Sequence, residues 1–194
     1  MTIDASAAPG VIVSGSDASR VFQIEATATV AMNDLVVADG AAAPQGGGIL
    51  NYGDLSLNRV VVTGNTENSA GPASFELGGG GIYNGEGAAL SLTDSTVSNN
   101  TSVNQPGGGV YGFFNSTINV TNSTISGNVS GDVAGGLRTL GNANITGSTI
   151  SGNTADVGGG LRVIGGTTTI TGMDIVVNGD SLSGTSNWTW SDGY

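Results

Sequence analysis

Apart from tyrosines and the chain ends, the ionisable side chains are 15 acids and four arginines, with no lysine, histidine or cysteine. The commonest general base is therefore missing, and so are thiol nucleophiles, disulfides and thiolate metal sites. Acid–base chemistry would fall to paired carboxylates, or to carboxylates holding calcium beside an arginine. The acids stand singly at Asp54, Glu67, Glu76, Glu86, Asp94, Asp132 and Asp156, with no DxD or DD pair among them. Asp132 and Asp156 sit just before successive glycine runs and are the best candidates for a pair across neighbouring repeats, although a polar turn is the simpler account of them. The residues assign no catalytic group, no metal site and no cofactor. A net charge of −11 repels phosphate backbones, which argues against a nucleic-acid partner. No apolar run reaches the roughly 18 residues of a transmembrane segment.

A second candidate is a column. Glycine followed by an aliphatic recurs at Gly48-Ile49, Gly81-Ile82, Gly109-Val110, Gly136-Leu137 and Gly160-Leu161, and the next residue reads Leu50, Tyr83, Tyr111, Arg138, Arg162. If the aliphatics point inward, this neighbour points outward in every repeat. Aromatic faces stack on sugar rings and arginines pair with carboxylates, so Tyr83, Tyr111, Arg138 and Arg162 form a candidate stripe for an acidic or neutral polysaccharide. A solvated face with arginine lying over tyrosine is the alternative.

The elements that must position such a stripe are written in a repeat. In Leu57–Asn65, Leu92–Asn100, Val120–Asn128, Ile145–Asn153 and Ile170–Asn178, an aliphatic residue is followed eight places later by asparagine. The sixth place is always β-branched: Val62, Val97, Ile125, Ile150, Ile175. A weaker copy runs from Met32 to Gly40. The third place reads Asp34, Arg59, Asp94, Asn122, Gly147, Gly172, mostly residues that accept a left-handed backbone or close a turn, so each copy bends there. Short alternating strands flank the bend, and the glycine–aliphatic element supplies a third. Three strands and three turns per unit make one coil of a parallel β-helix, about seven coils in all. Parallel crossovers favour a right-handed path.

Asn65, Asn100, Asn128, Asn153 and Asn178 are expected to stack in a structural ladder, each amide offering a donor and an acceptor. Sequons at Asn122 and Asn144 follow from a Ser/Thr-rich composition and are not read as glycosylation. Insertions fall just after the asparagine, at Thr66–Leu77 and Thr101–Pro106, which places them on one edge of the rod. Arg59 is expected to pair with Asp94 one coil on. Thr96, Thr124 and Thr149 form a short rank, interrupted by Val61 and Asp174, too short to favour ice or mineral binding.

The runs GGGILN at Gly46, GGGIYN at Gly79, LSLTDSTVSNN and STISGNTA resemble the glycine-rich repeats of bacterial secreted right-handed β-helix proteins. These include polymorphic outer-membrane-protein-like repeats and large surface repeat proteins, and the likeness covers nearly the whole chain. It implies an extracellular or cell-surface setting and a structural or adhesive role; no signal peptide precedes the strand-like opening. The same fold hosts pectate lyases and polygalacturonases, so a polysaccharide lyase or hydrolase is the competing reading. One domain is expected over residues 1–194: opening coils at 1–45, regular coils at 46–178, and a segment at 179–194. That last segment carries Trp188, Trp190 and Tyr194, and serves as a cap or as a surface for end-to-end assembly with copies of the chain.

Overall fold

The computed structural model describes residues 1–172, and beyond them the backbone of strands Asp174–Val176, Leu182–Gly184 and Trp188–Ser191. Every described strand pairs in parallel, giving a β-solenoid of about six turns, close to the seven counted from the repeat. Three stacked sheets form its walls. Sheet A has eight strands, from β1 (Thr2–Asp4) to Trp188–Ser191; sheet B has seven, from β2 (Val11–Ser14) to Asp174–Val176; sheet C has seven, from β3 (Phe22–Ile24) to Leu182–Gly184. A fourth ladder, sheet D, stacks the two-residue strands Ala41–Ala42, Thr66–Glu67, Thr101–Ser102 and Val129–Ser130 just after the asparagine turn. The sequence did not announce it, because two residues show no alternation.

The register is the one the repeat implies. Leu55 and Leu57 pair with Leu90 and Leu92 in sheet A, Val62 with Val97 in sheet B, and Ile49 with Ile82 in sheet C. These aliphatics point inward and are buried in one continuous core. The bend at the third place has the backbone its residue types suggest: φ is +59° at Asp34, +54° at Arg59, +49° at Asp94 and Asn122, +56° at Gly147 and +54° at Gly172. The eighth place is also left-handed, at Asp39 before Gly40 and at Gly64, Asn99, Gly127 and Gly152 before the ladder asparagines. Each coil therefore turns a corner twice within nine residues.

Glycine runs and asparagines prove to be two halves of one device. A Cβ on Gly48 would lie 2.7 Å from the Asn65 amide carbon, and one on Gly109 would lie 2.9 Å from the Asn128 amide nitrogen. Each asparagine fills the room that its own coil's glycine leaves empty. The glycine backbones also stack tightly, since a Cβ on Gly80 would meet the Gly108 carbonyl oxygen at 2.4 Å. Any larger residue there would force neighbouring coils apart.

Candidate functional site

The asparagine ladder is continuous and buried through the described coils. Asn65 Nδ2 donates to Asn100 Oδ1 at 2.9 Å, Asn100 to Asn128 at 3.0 Å and Asn128 to Asn153 at 2.9 Å. Each Nδ2 also donates to a sheet B carbonyl, from Val37, Val62 and Val97 up to Ile125 for Asn153. Asn178 lies outside the described residues. Two further ladders escaped the sequence reading. The amides of Val60, Ser95 and Ser123 donate to the hydroxyls of Ser95, Ser123 and Ser148, and Asn51 Nδ2 donates to Asn84 Oδ1 at 2.7 Å. Their signal was the serine at the fourth repeat place and the asparagine closing GGGILN and GGGIYN.

The stripe is in register as expected: Leu50, Tyr83, Tyr111, Arg138 and Arg162 are consecutive partners along sheet C. It faces away from the core, but it is not an open face. Tyr83 is 2% exposed and Tyr111 0%, and Leu50, Tyr83, Tyr111 and Leu140 form a second apolar cluster outside the solenoid wall. The covering is the Thr66–Leu77 insertion. Tyr83 Oη donates to the Glu76 carbonyl and Tyr111 Oη to that of Phe75. The insertion is pinned at its root by buried Glu67, which accepts from Ser69 N and Ser102 Oγ at 2.8 and 2.9 Å. At its far side, buried Gln105 accepts from Ser74 N and donates to the Pro72 carbonyl. Alternation showed which side of the sheet the tyrosines take; it did not show that a loop folds back over that side.

Burial has electrostatic consequences. Desolvation of the phenolate pushes the Tyr111 hydroxyl up to about 12 and raises Tyr83 further. Tyr83 packs edge-on against Tyr111, with ring centroids 5.3 Å apart, and against Tyr52 at 6.4 Å. Between Tyr52, Tyr83 and Phe113 lies a groove of about 260 Å³, with Glu76, Glu86 and Gln45 on its walls. Its aromatic lining and polar rim suit a small polar ring such as a sugar. The Arg138 guanidinium lies over the Tyr111 ring, 5.1 Å from its centroid, and burial lowers its pKa.

The remaining candidates fall elsewhere. Asp132 and Asp156 stack through their backbone, Asp156 N donating to the Asp132 carbonyl at 3.1 Å. Arg59 pairs with Asp34 and not with Asp94, through two 2.7 Å bonds to the preceding coil. The Thr96, Thr124, Thr149 rank is in register, bounded by Val61 and Asp174. Trp188 and Trp190 lie in a strand that pairs with Thr168–Thr171 of sheet A, while their side chains and Tyr194 lie outside the described residues. Among the described residues, no three His, Cys, Asp or Glu side chains gather into a metal-binding group, and no helix is long and apolar enough to cross a membrane.

At the N-terminal end, β1, β2 and β3 are each the last strand of their sheet. Met1 and residues of β1, β3 and the strand Thr29–Asn33 line an apolar cavity of about 420 Å³, among them Ile3, Phe22, Ile24, Val30 and Met32. No protein-family model, curated protein or solved structure matches this chain.

Proposed function

We propose that this chain is a non-enzymatic structural and adhesive rod of a cell exterior, akin to the bacterial secreted β-helix repeat proteins its motifs resemble. The observation that carries this reading is the N-terminal edge of the described coils, where β1, β2 and β3 each pair with a neighbour on one side only. A solenoid edge presents unpaired backbone donors and acceptors, a template for another parallel strand. The two ends of the rod display the same three sheets, β1 against Trp188–Ser191, β2 against Asp174–Val176 and β3 against Leu182–Gly184. A second copy can extend all three, and the contact is head-to-tail, so it grows without closing. Ile3 and Phe22, half-buried residues of the cavity lining, supply apolar area for that joint.

Sedimentation of the purified chain over a wide concentration range, with electron microscopy of the most concentrated sample, tests this. Elongating species that vanish on Ile3→Asp support it. A strict monomer at high concentration, with no filaments, sinks it.

Polysaccharide binding is the second reading, favoured by the groove between Tyr52, Tyr83 and Phe113. Degradation of the bound sugar would rest on Glu76 and Glu86, the carboxylates on that groove's walls.

A further inference from the structure

The four arginines divide into two kinds. Arg20 donates to the carbonyls of Gly46 and Gln45 and to the Gln23 side chain, and Arg59 grips Asp34. Arg138 and Arg162 donate to no acceptor among the described residues, although they are neighbours in register on adjacent strands of sheet C. Arg138 is 7% exposed, and its Nε is buried without a partner. Only Nε is fully covered, so its terminal amino groups still reach solvent. The charged and titratable groups that bear on Arg138 are Tyr111, Arg162 and Asp132, and Asp132 acts from beyond ion-pair distance.

This arrangement is unfavourable as it stands. Like charges directly opposite each other on neighbouring strands repel, and a buried donor without an acceptor carries a desolvation penalty. The chain has 15 acids, yet among the described residues none forms an ion pair with either arginine. The Tyr111 ring meanwhile backs the Arg138 guanidinium and limits the planes it can adopt. Two arginines in register on adjacent strands, the guanidinium of one stacked on a ring, offer their forks to an anion with two or more acceptor oxygens.

We propose that Arg138 and Arg162 form an oxyanion-binding site, taking the carboxylate of an acidic sugar or a sulfate group between their guanidinium groups. The site lies along the sheet C column beyond the tyrosines, and it stands whether or not the aromatic groove binds sugar. Its ligand offsets the repulsion between the two cations and gives the terminal amino groups of Arg138, which reach solvent, an acceptor.

Four arginines give a sparse Nε–H spectrum, so nitrogen-15 NMR reads the site directly. Sodium glucuronate, sodium sulfate and neutral glucose are titrated separately at ionic strength held constant with chloride. Saturable shifts of the Arg138 and Arg162 signals with either anion are expected, while Arg20, Arg59 and the glucose arm stay still. Tighter saturation by glucuronate assigns the sugar carboxylate as the source; tighter saturation by sulfate assigns the sulfate group. Arg162→Gln should weaken the Arg138 response about tenfold or more, and Arg162→Lys, which keeps the charge but not the fork, should restore only part of it. The proposal is overturned if all four signals drift together without saturating, if neither anion moves the pair, or if Arg162→Gln leaves the Arg138 response unchanged.

Discussion

Along the corner where sheet B passes into sheet D, Asn65, Asn100, Asn128 and Asn153 repeat the same bonds coil after coil. Along sheet C, the column facing away from the core changes from Leu50 through Tyr83 and Tyr111 to Arg138 and Arg162. Both are vertical ranks on one scaffold with one spacing. The difference lies in what each rank must satisfy. The asparagines serve buried backbone groups that recur identically in every coil, so their identity is fixed by the backbone. The sheet C column serves no such recurring need, so insertions and special side chains accumulate over it. In this rod, uniformity marks structure and variation marks the surface free to acquire function.

Asn100→Ala should break the uniform rank most severely. Asn100 accepts from the backbone and side-chain amides of Asn65, and donates to Asn128 and to the Val62 carbonyl. Removing it strands several buried groups at once, and the chain should lose about 3 kcal/mol in urea unfolding. Loss below about 1 kcal/mol would mean that water or a shifted neighbour replaces the amide, and the ladder would then be ornament and not support.

The two ranks also differ in how well the sequence exposes them. Corner residues were legible because residue type reports local backbone: Asp94, Asn122 and Gly147 suit a positive φ, and even Arg59 occupies one. The asparagine ladder was legible because its chemistry matches its spacing. The serine ladder was hidden in a composition where serine is ordinary at turns. Burial of Tyr83 and Tyr111 was not legible at all, because it depends on the path of the Thr66–Leu77 insertion, which carries no repeat to constrain it. For the same reason Arg59 was paired with the wrong neighbour: stacking fixes which corners are adjacent, but not whether a long side chain turns up or down the rod.

The varied rank should show itself at alkaline pH. The folded state holds the Tyr111 hydroxyl up to about 12, above the roughly 10 of an unfolded tyrosine. The fold therefore binds this proton more tightly than the unfolded chain does. That stability is fully present below pH about 10 and is lost as pH rises through the folded value, a fall of at most about 3 kcal/mol. Urea midpoints followed upward from pH 9 should drop in the wild type, and the drop should shrink in the Tyr111→Phe variant. Shortening the insertion across Ser69–Phe75 should return tyrosinate absorbance towards an ordinary titration while leaving the asparagine ladder intact. An unchanged titration in the shortened chain would show that the sheet alone buries these rings.

The smallest effect belongs to the one corner where the two kinds of rank meet. Arg59 stands at a repeated bend, yet its side chain makes a particular pair with Asp34. The Arg59 guanidinium, chiefly by hydrogen bonding, holds the Asp34 carboxyl below the usual carboxylate range. A depressed carboxyl contributes stability above its unfolded pKa and loses it as pH falls through the folded one. The Arg59 side chain is about half exposed, so solvent and salt screen the pair, and urea midpoints at moderate salt should barely move in Arg59→Gln. The NMR titration is the sharper readout. Asp34 should titrate low in the wild type and return to the ordinary range in Arg59→Gln, with Asp94→Asn having little influence on it. If Asp94→Asn moved Asp34 as far as Arg59→Gln does, the guanidinium would be shared up and down the rod, and even this corner would belong to a continuous rank.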